Sequence, residues 1–181
     1  MRGMRPKLVM LFSCIAMLCL GGPSALGAAD EYSLKAAFVY NFIQFIEWPS
    51  GAFSHSKAPL EIGILGQDPF NGAMDRALAG KTVNGHPLIV RHYPTVNDLQ
   101  TCHVLFIPVA SQEQFPAAQQ KLSGSSVLTI GEADGFTDGG GVIRLYTEGK
   151  FIKFDVNRSA ADRARLHISA KLLKLAKNVT D

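Results

Sequence analysis

Apolar and polar positions alternate along this chain with periods that change from segment to segment, and the longest helical run is Leu34 to Pro49, LKAAFVYNFIQFIEWP. At a helical advance of about 100° per residue, Phe38, Val39, Phe42, Ile43, Phe45 and Ile46 fall on one arc, with Asn41, Gln44 and Glu47 opposite. A helix of roughly four turns is marginal alone in water, so burial of that arc predicts a core helix. Tyr40 and Trp48 project on the polar side, and Lys35 sits on the apolar arc. Trp48-Pro49 is the expected stop, because the residue before proline is pushed out of the helical region.

The following segments read as strands and helices in turn. Leu60 to Leu65 is a short apolar strand ending at Gly66. Asp68-Pro69 then caps a predicted helix that runs to Gly80 with Phe70, Met74, Ala77 and Leu78 as its stripe. Lys81 to Val83, the Asn84-Gly85 turn and Leu88 to Tyr93 predict a hairpin. His103 to Ile107 is a buried strand, Ser111 to Leu122 a polar helix interrupted near Pro116, and Ser126 to Ile130 another strand. A glycine-rich loop, Gly131 to Gly141, precedes a hairpin of Val142 to Thr147 and Phe151 to Val156. Ser159, with Asp162 three residues on, predicts the cap of one last helix whose core stripe is Ala161, Ala164, Ile168, Leu172 and Leu175. The expected fold is an α/β layered sandwich: a mixed, mainly parallel sheet with flanking helices and a C-terminal antiparallel hairpin plus helix.

Residues 1–27 have the pattern of a cleaved signal peptide: Arg2, Arg5 and Lys7, an apolar run from Leu8 to Leu20, then Gly21-Gly22-Pro23 and a small-residue cleavage site at Ala25-Leu26-Gly27. The run is shorter than the ~20 residues of a spanning helix. Residues 28–181 are then expected to form one exported domain. The leader holds three of the chain's 18 Lys and Arg, and none of its 15 Asp and Glu, leaving the mature chain formally neutral. Bulk charge therefore points away from nucleic acid as a partner. Cys14 and Cys19 leave with the leader, so Cys102 stands unpaired and no disulfide forms within the mature chain.

Candidate chemistry is sparse. The Gly63 to Phe70 turn could offer backbone N–H groups to an anion, but it lacks dinucleotide spacing and a Walker lysine, and it reads as a plain connection. Cys102-His103 has the residue types of a thiol enzyme, yet neighbours on a strand point to opposite faces. The five histidines show no metal-ligand spacing, and no cofactor is indicated. Glu132, Asp134 and Asp138 surround Phe136 without a nucleophile or base beside them, which reads as a solvated turn. On the last helix, Arg163, His167, Lys171 and Lys174 form a basic row, and Leu166 and Leu173 fall outside the core stripe. Those two leucines either pack under the sheet's edge or form an association surface, with a homodimer as one outcome.

Whole blocks of this sequence resemble the YfiR family of small periplasmic bacterial proteins. They are Lys35 to Phe42 with Glu47-Trp48-Pro49, Gly63 to Phe70, Cys102 to Ile107, Val127 to Ile130 with Gly135-Phe136, Gly140 to Ile143, Phe154 to Asn157, and Ser169 to Leu173. The resemblance implies a non-enzymatic regulator that binds the periplasmic sensor portion of an inner-membrane diguanylate cyclase, lowering cyclic di-GMP and biofilm formation. The membrane partner is a diguanylate cyclase or another membrane sensor protein. The residues taken as contact candidates are Tyr40, Trp48, Phe136, Leu166 and Leu173, with no catalytic or metal site. A periplasmic small-molecule binding module, using the mouth between the strand ends and the Gly131 to Gly141 loop, is the alternative.

Overall fold

A computed structural model describes residues 27–181; the leader reading lies outside the described residues except for Gly27. Helix α1 (Ala28–Gln44) lies on an eight-stranded sheet. In chain order the sheet's strands are β2 (Leu60–Leu65), β3 (Thr82–Val83), β4 (His86–Tyr93), β5 (Val104–Ile107), β6 (Leu128–Gly131), β7 (Ile143–Glu148), β8 (Phe151–Asn157) and β10 (Asn178–Thr180). Their spatial order is β10-β8-β7-β6-β5-β2-β4-β3. Only β7 with β8 and β3 with β4 are antiparallel; the other neighbours are parallel. A second, two-stranded ribbon joins β1 (Ile46–Glu47) to β9 (His167–Ile168).

The sheet is covered on both faces, as continuous apolar runs such as Val104 to Ile107 require. One core joins Val39, Phe42, Ile43, Ile62, Phe106, Ile130, Leu145 and Phe154 under α1, α2 (Ala73–Leu78), α4 (Arg158–Arg163) and α5 (Ala170–Leu173). The other joins Leu65, Leu105, Ile107 and Phe136 to Phe115, Ala118 and Leu122 around α3 (Phe115–Lys121). The mixed α/β layered architecture, with its hairpin and following helix, is the one expected.

The first two helices have other limits than expected. Helix α1 starts six residues earlier than Leu34 and ends at Gln44. Ile46 and Glu47 leave it to pair with Ile168 and His167, and the Phe45 carbonyl accepts from Ser169 N–H at 2.9 Å. A strand partner over a hundred residues away overrides local helical period. The helix after Asp68 is also shorter: Asp68 Oδ1 accepts from Phe70 N–H at 2.8 Å in a local turn, and Asn71 and Gly72 adopt positive φ before α2 begins.

The last helix is not one helix. Asn157, rather than Ser159, caps α4 by accepting from Ala160 N–H at 2.8 Å. Arg165 turns left-handed at φ 56°, and the N–H groups of Leu166 and Arg165 donate to the Ala161 and Asp162 carbonyls. That is a Schellman ending with arginine where glycine is usual. The chain then forms β9, and Ser169 caps α5. Consequently Leu166 is buried at 3% exposure, which is the packed outcome of the two open to it, while Leu175, expected in the stripe, is 68% exposed. Arg163, His167, Lys171 and Lys174 lie on successive short elements and form no helix face.

Candidate functional site

The β1–β9 ribbon brings two of the candidate residues to one place. Glu47 pairs with His167, so Trp48, which follows Glu47, and Leu166, which precedes His167, leave the same end of an antiparallel pair. Leu166 and Leu173 line a groove of about 260 Å³ with Arg158, Asp162, His167 and Ile168. Leu166 is its buried floor and Leu173 is half-buried. Trp48 lines a larger cleft of about 590 Å³ with Glu47, Phe53, His55, Asn84 and His86.

The wall of that cleft is held by an aromatic stack. Phe53 lies between His86, 3.8 Å between centroids at 14°, and His103, 4.4 Å at 12°, with Trp48 edge-on to it at 6.5 Å. His103 Nδ1 accepts from Glu61 N–H at 3.1 Å, so its hydrogen resides on Nε2, which donates to the Ala52 carbonyl at 3.1 Å. This neutral tautomer uses both ring nitrogens, and burial pulls its pKa below the usual histidine value. His86 Nδ1 lies 2.7 Å from the Ala58 carbonyl, an acceptor only, so this nitrogen carries a hydrogen. The loop bearing Phe53 is therefore tied at both ends to β4 and to the start of β5. Trp48 Nε1 is buried without a hydrogen-bond partner.

Tyr40 and Phe136 lie apart from this end. Tyr40 is half-buried on α1 under the Lys81 ammonium, 4.0 Å from the ring centroid. Phe136 is fully buried, packed on Phe115 at 4.5 Å, and so is unavailable to a partner in this conformation. Its ring occupies the space that side chains would need at Gly131 and Gly141. The glycines serve that packing more than they serve solvation.

The titratable groups singled out in the sequence lie in different parts of the described structure. Cys102 is free and buried among Tyr93, Leu105 and Val127, and burial, followed by the charge of Glu61, pushes its thiol up to about 12. It is a core side chain in the folded state, with little thiolate to act as a nucleophile. Cys102 and His103 lie before β5, whereas Glu132 follows β6; in parallel strands these are opposite ends of the sheet. Glu132 itself is a buried structural acid that the pattern missed. It accepts from Lys35 Nζ at 2.6 Å, from Tyr32 Oη at 3.3 Å and from Val109 N–H at 3.2 Å. Burial and Glu132 together push the Tyr32 phenol far up. Asp134 pairs with Arg144, and Asp138 lies exposed. Among the described residues no group of three or more His, Cys, Asp or Glu is placed to hold a metal ion. Beside the glycine loop a cleft of about 440 Å³ has a floor of Leu122, Val127 and Val142 and carries Asp138 and Arg163.

The YfiR/HmsC-like family matches residues 32–177, and the chain belongs to it. No curated protein sequence matches the chain. Among solved structures, the crystal structure of a conserved domain protein from Vibrio cholerae O1 biovar El Tor superposes with a TM-score of 0.53 at 11% identity, covering 82% of this chain and 60% of the other. An ABC domain from Streptococcus pneumoniae, solved in complex with L-Trp, gives a TM-score of 0.48 at 14% identity over 71% of this chain and 57% of that one. This chain thus spans about 60% of the length of the structures it resembles. The Vibrio structure shares the fold. Among the described residues no helix is long and apolar enough to cross a membrane.

Proposed function

We propose that residues 28–181 form a periplasmic domain, exported by the cleaved leader, that represses an inner-membrane diguanylate cyclase by binding its sensor portion without itself catalysing a reaction. The supporting observation is the family match over residues 32–177, within a family of periplasmic regulators of membrane signalling. The contact surface combines the Trp48 cleft and the Leu173 groove, which are joined through the β1–β9 ribbon by Glu47 on one side and His167 and Ile168 on the other. Tyr40 is a contact of lesser weight, since it is half-buried under Lys81.

Repression of this kind is a population shift. A protein that binds the inactive sensor conformation more tightly than the active one displaces the equilibrium by its differential affinity, and about 1.4 kcal/mol of difference is tenfold. The test is capture of membrane proteins from crosslinked envelopes by the wild type and by Leu173→Glu and Trp48→Ala. A diguanylate cyclase held by the wild type and lost by both folded variants supports the reading. Equal capture by all three removes the ribbon end, and no cyclase at all removes the function.

The cleft beside the glycine loop favours a second reading, a small-molecule sensor acting on another membrane signalling protein. A ligand bound there would raise the melting temperature saturably, and Arg163→Ala would abolish that rise.

A further inference from the structure

Charge and exposed apolar surface converge at one corner of the sheet. From residue 28 to 149 the chain carries seven Lys and Arg against twelve Asp and Glu, but from 150 to 181 it carries eight against three. A neutral chain is therefore divided into an acidic body and a basic C-terminal part. Of the five large apolar side chains most exposed among the described residues, three also come after residue 150: Phe151 at 58%, Leu175 at 68% and Val179 at 42%.

The register brings these features together. Phe151 opens β8 opposite Glu148. Lys177 ties the tail to the same place, its N–H donating to the Phe154 carbonyl at 2.8 Å and its ammonium to Glu148 at 2.6 Å. Leu175 lies two residues before that anchor, and Lys174 before it is exposed. The ammonium groups of Lys150 and Lys153 stand 5.5 and 5.9 Å from the Phe151 ring centroid. The acids here are already engaged: Glu148 with Lys177, and Asp155 with Arg144, Asn178 and Tyr146. Arg144 also holds Asp134.

We propose that this corner rests on the anionic phospholipid surface of a membrane, with Phe151 and Leu175 entering the interfacial layer and Lys150, Lys153 and Lys174 meeting headgroup phosphates. Apolar tips ringed by flexible ammonium groups suit a headgroup layer. A protein partner fits less well, because protein interfaces are depleted in lysine. The inference goes beyond the repressor reading: Phe151, Lys150 and Lys153 lie on and beside β8, away from Trp48, although Lys174 and Leu175 follow Leu173 in the chain, and lipid binding requires no cyclase.

The experiment is flotation of the purified protein with vesicles of phosphatidylglycerol and phosphatidylethanolamine, and with phosphatidylcholine vesicles, at low and high salt. The expected result is binding to the anionic vesicles alone, weakened by salt. Lys150→Gln, Lys153→Gln and Lys174→Gln each lower it about fivefold, and Phe151→Ser and Leu175→Ser each lower it about tenfold. Unchanged melting temperatures show that these surface variants fold. Absence of binding to anionic vesicles overturns the proposal, as does unaltered binding by the variants. Loss of membrane-protein capture by Phe151→Ser in a protein that never floats with vesicles also overturns it, making the corner a protein interface.

Discussion

Phe136 and the two glycines that flank its ring form a unit whose coupling can be measured. A Cβ added at Gly141 would overlap the ring, 2.7 Å from Cζ and closer still at the ring edge. Backbone on one side and the buried Phe115 on the other leave the ring nowhere to move. Gly141→Ala is therefore an overpacking substitution, costing about 1–3 kcal/mol. Phe136→Ala removes a fully buried aromatic side chain and costs about 3–5 kcal/mol. In the double variant the added methyl occupies space the ring has vacated, so the total should be no greater than that of Phe136→Ala. The coupling is then about 1–3 kcal/mol in the favourable sense. Equilibrium unfolding in urea, followed by the fluorescence of Trp48, the chain's one tryptophan, reads all four corners of the cycle. Costs that add to within about 0.5 kcal/mol would refute the claim that these glycines exist to seat the ring.

Three further outcomes follow from buried groups. Lys35→Met leaves Glu132 buried without its cation and should cost about 3–5 kcal/mol, whereas Lys35→Met with Glu132→Leu should recover much of that loss; equal loss in both would contradict the pairing. His103 has a folded pKa below its ordinary 6.5, so its contribution to stability is present above that value and is lost as pH falls through the folded pKa. Urea unfolding should show stability declining as pH drops below about 6.5, with a smaller decline in His103→Gln, and an unchanged slope would speak against this origin. Native Cys102 should resist iodoacetamide at pH 8 and become labelled only as the chain unfolds; rapid labelling of folded protein would place it at the surface.

The sheet was legible because its strands are short apolar runs bounded by glycine, proline and polar turns. Leu60 to Leu65 has the predicted limits, and the hairpin of β7 and β8 lies within a residue of them. What sequence periodicity could not supply was long-range pairing. Ile46 keeps its place on the helical arc and is buried as that arc requires, yet its backbone belongs to a strand whose partner is Ile168. Lys35 stood out as a charge on an apolar arc; it pairs with Glu31 one turn earlier at 2.7 Å, but its buried partner Glu132 lies 97 residues away in a segment that reads as loop. The break between Arg163 and Leu166 was hidden because helical spacing runs on through it, and the left-handed turn at Arg165 carries no glycine to announce it. The same ribbon that upset both helices sets Glu47, which lines the Trp48 cleft, opposite His167, which lines the Leu173 groove, and neither segment alone reveals that pairing.

The central claim, repression of a membrane diguanylate cyclase, is tested most directly by measuring cellular cyclic di-GMP in three strains. One carries the intact gene, one lacks it, and the third is the deletion strain complemented with the wild-type gene. The account predicts a rise on deletion and a return to the starting level with the wild-type gene. Cyclic di-GMP that stays at the same level in all three strains would contradict it.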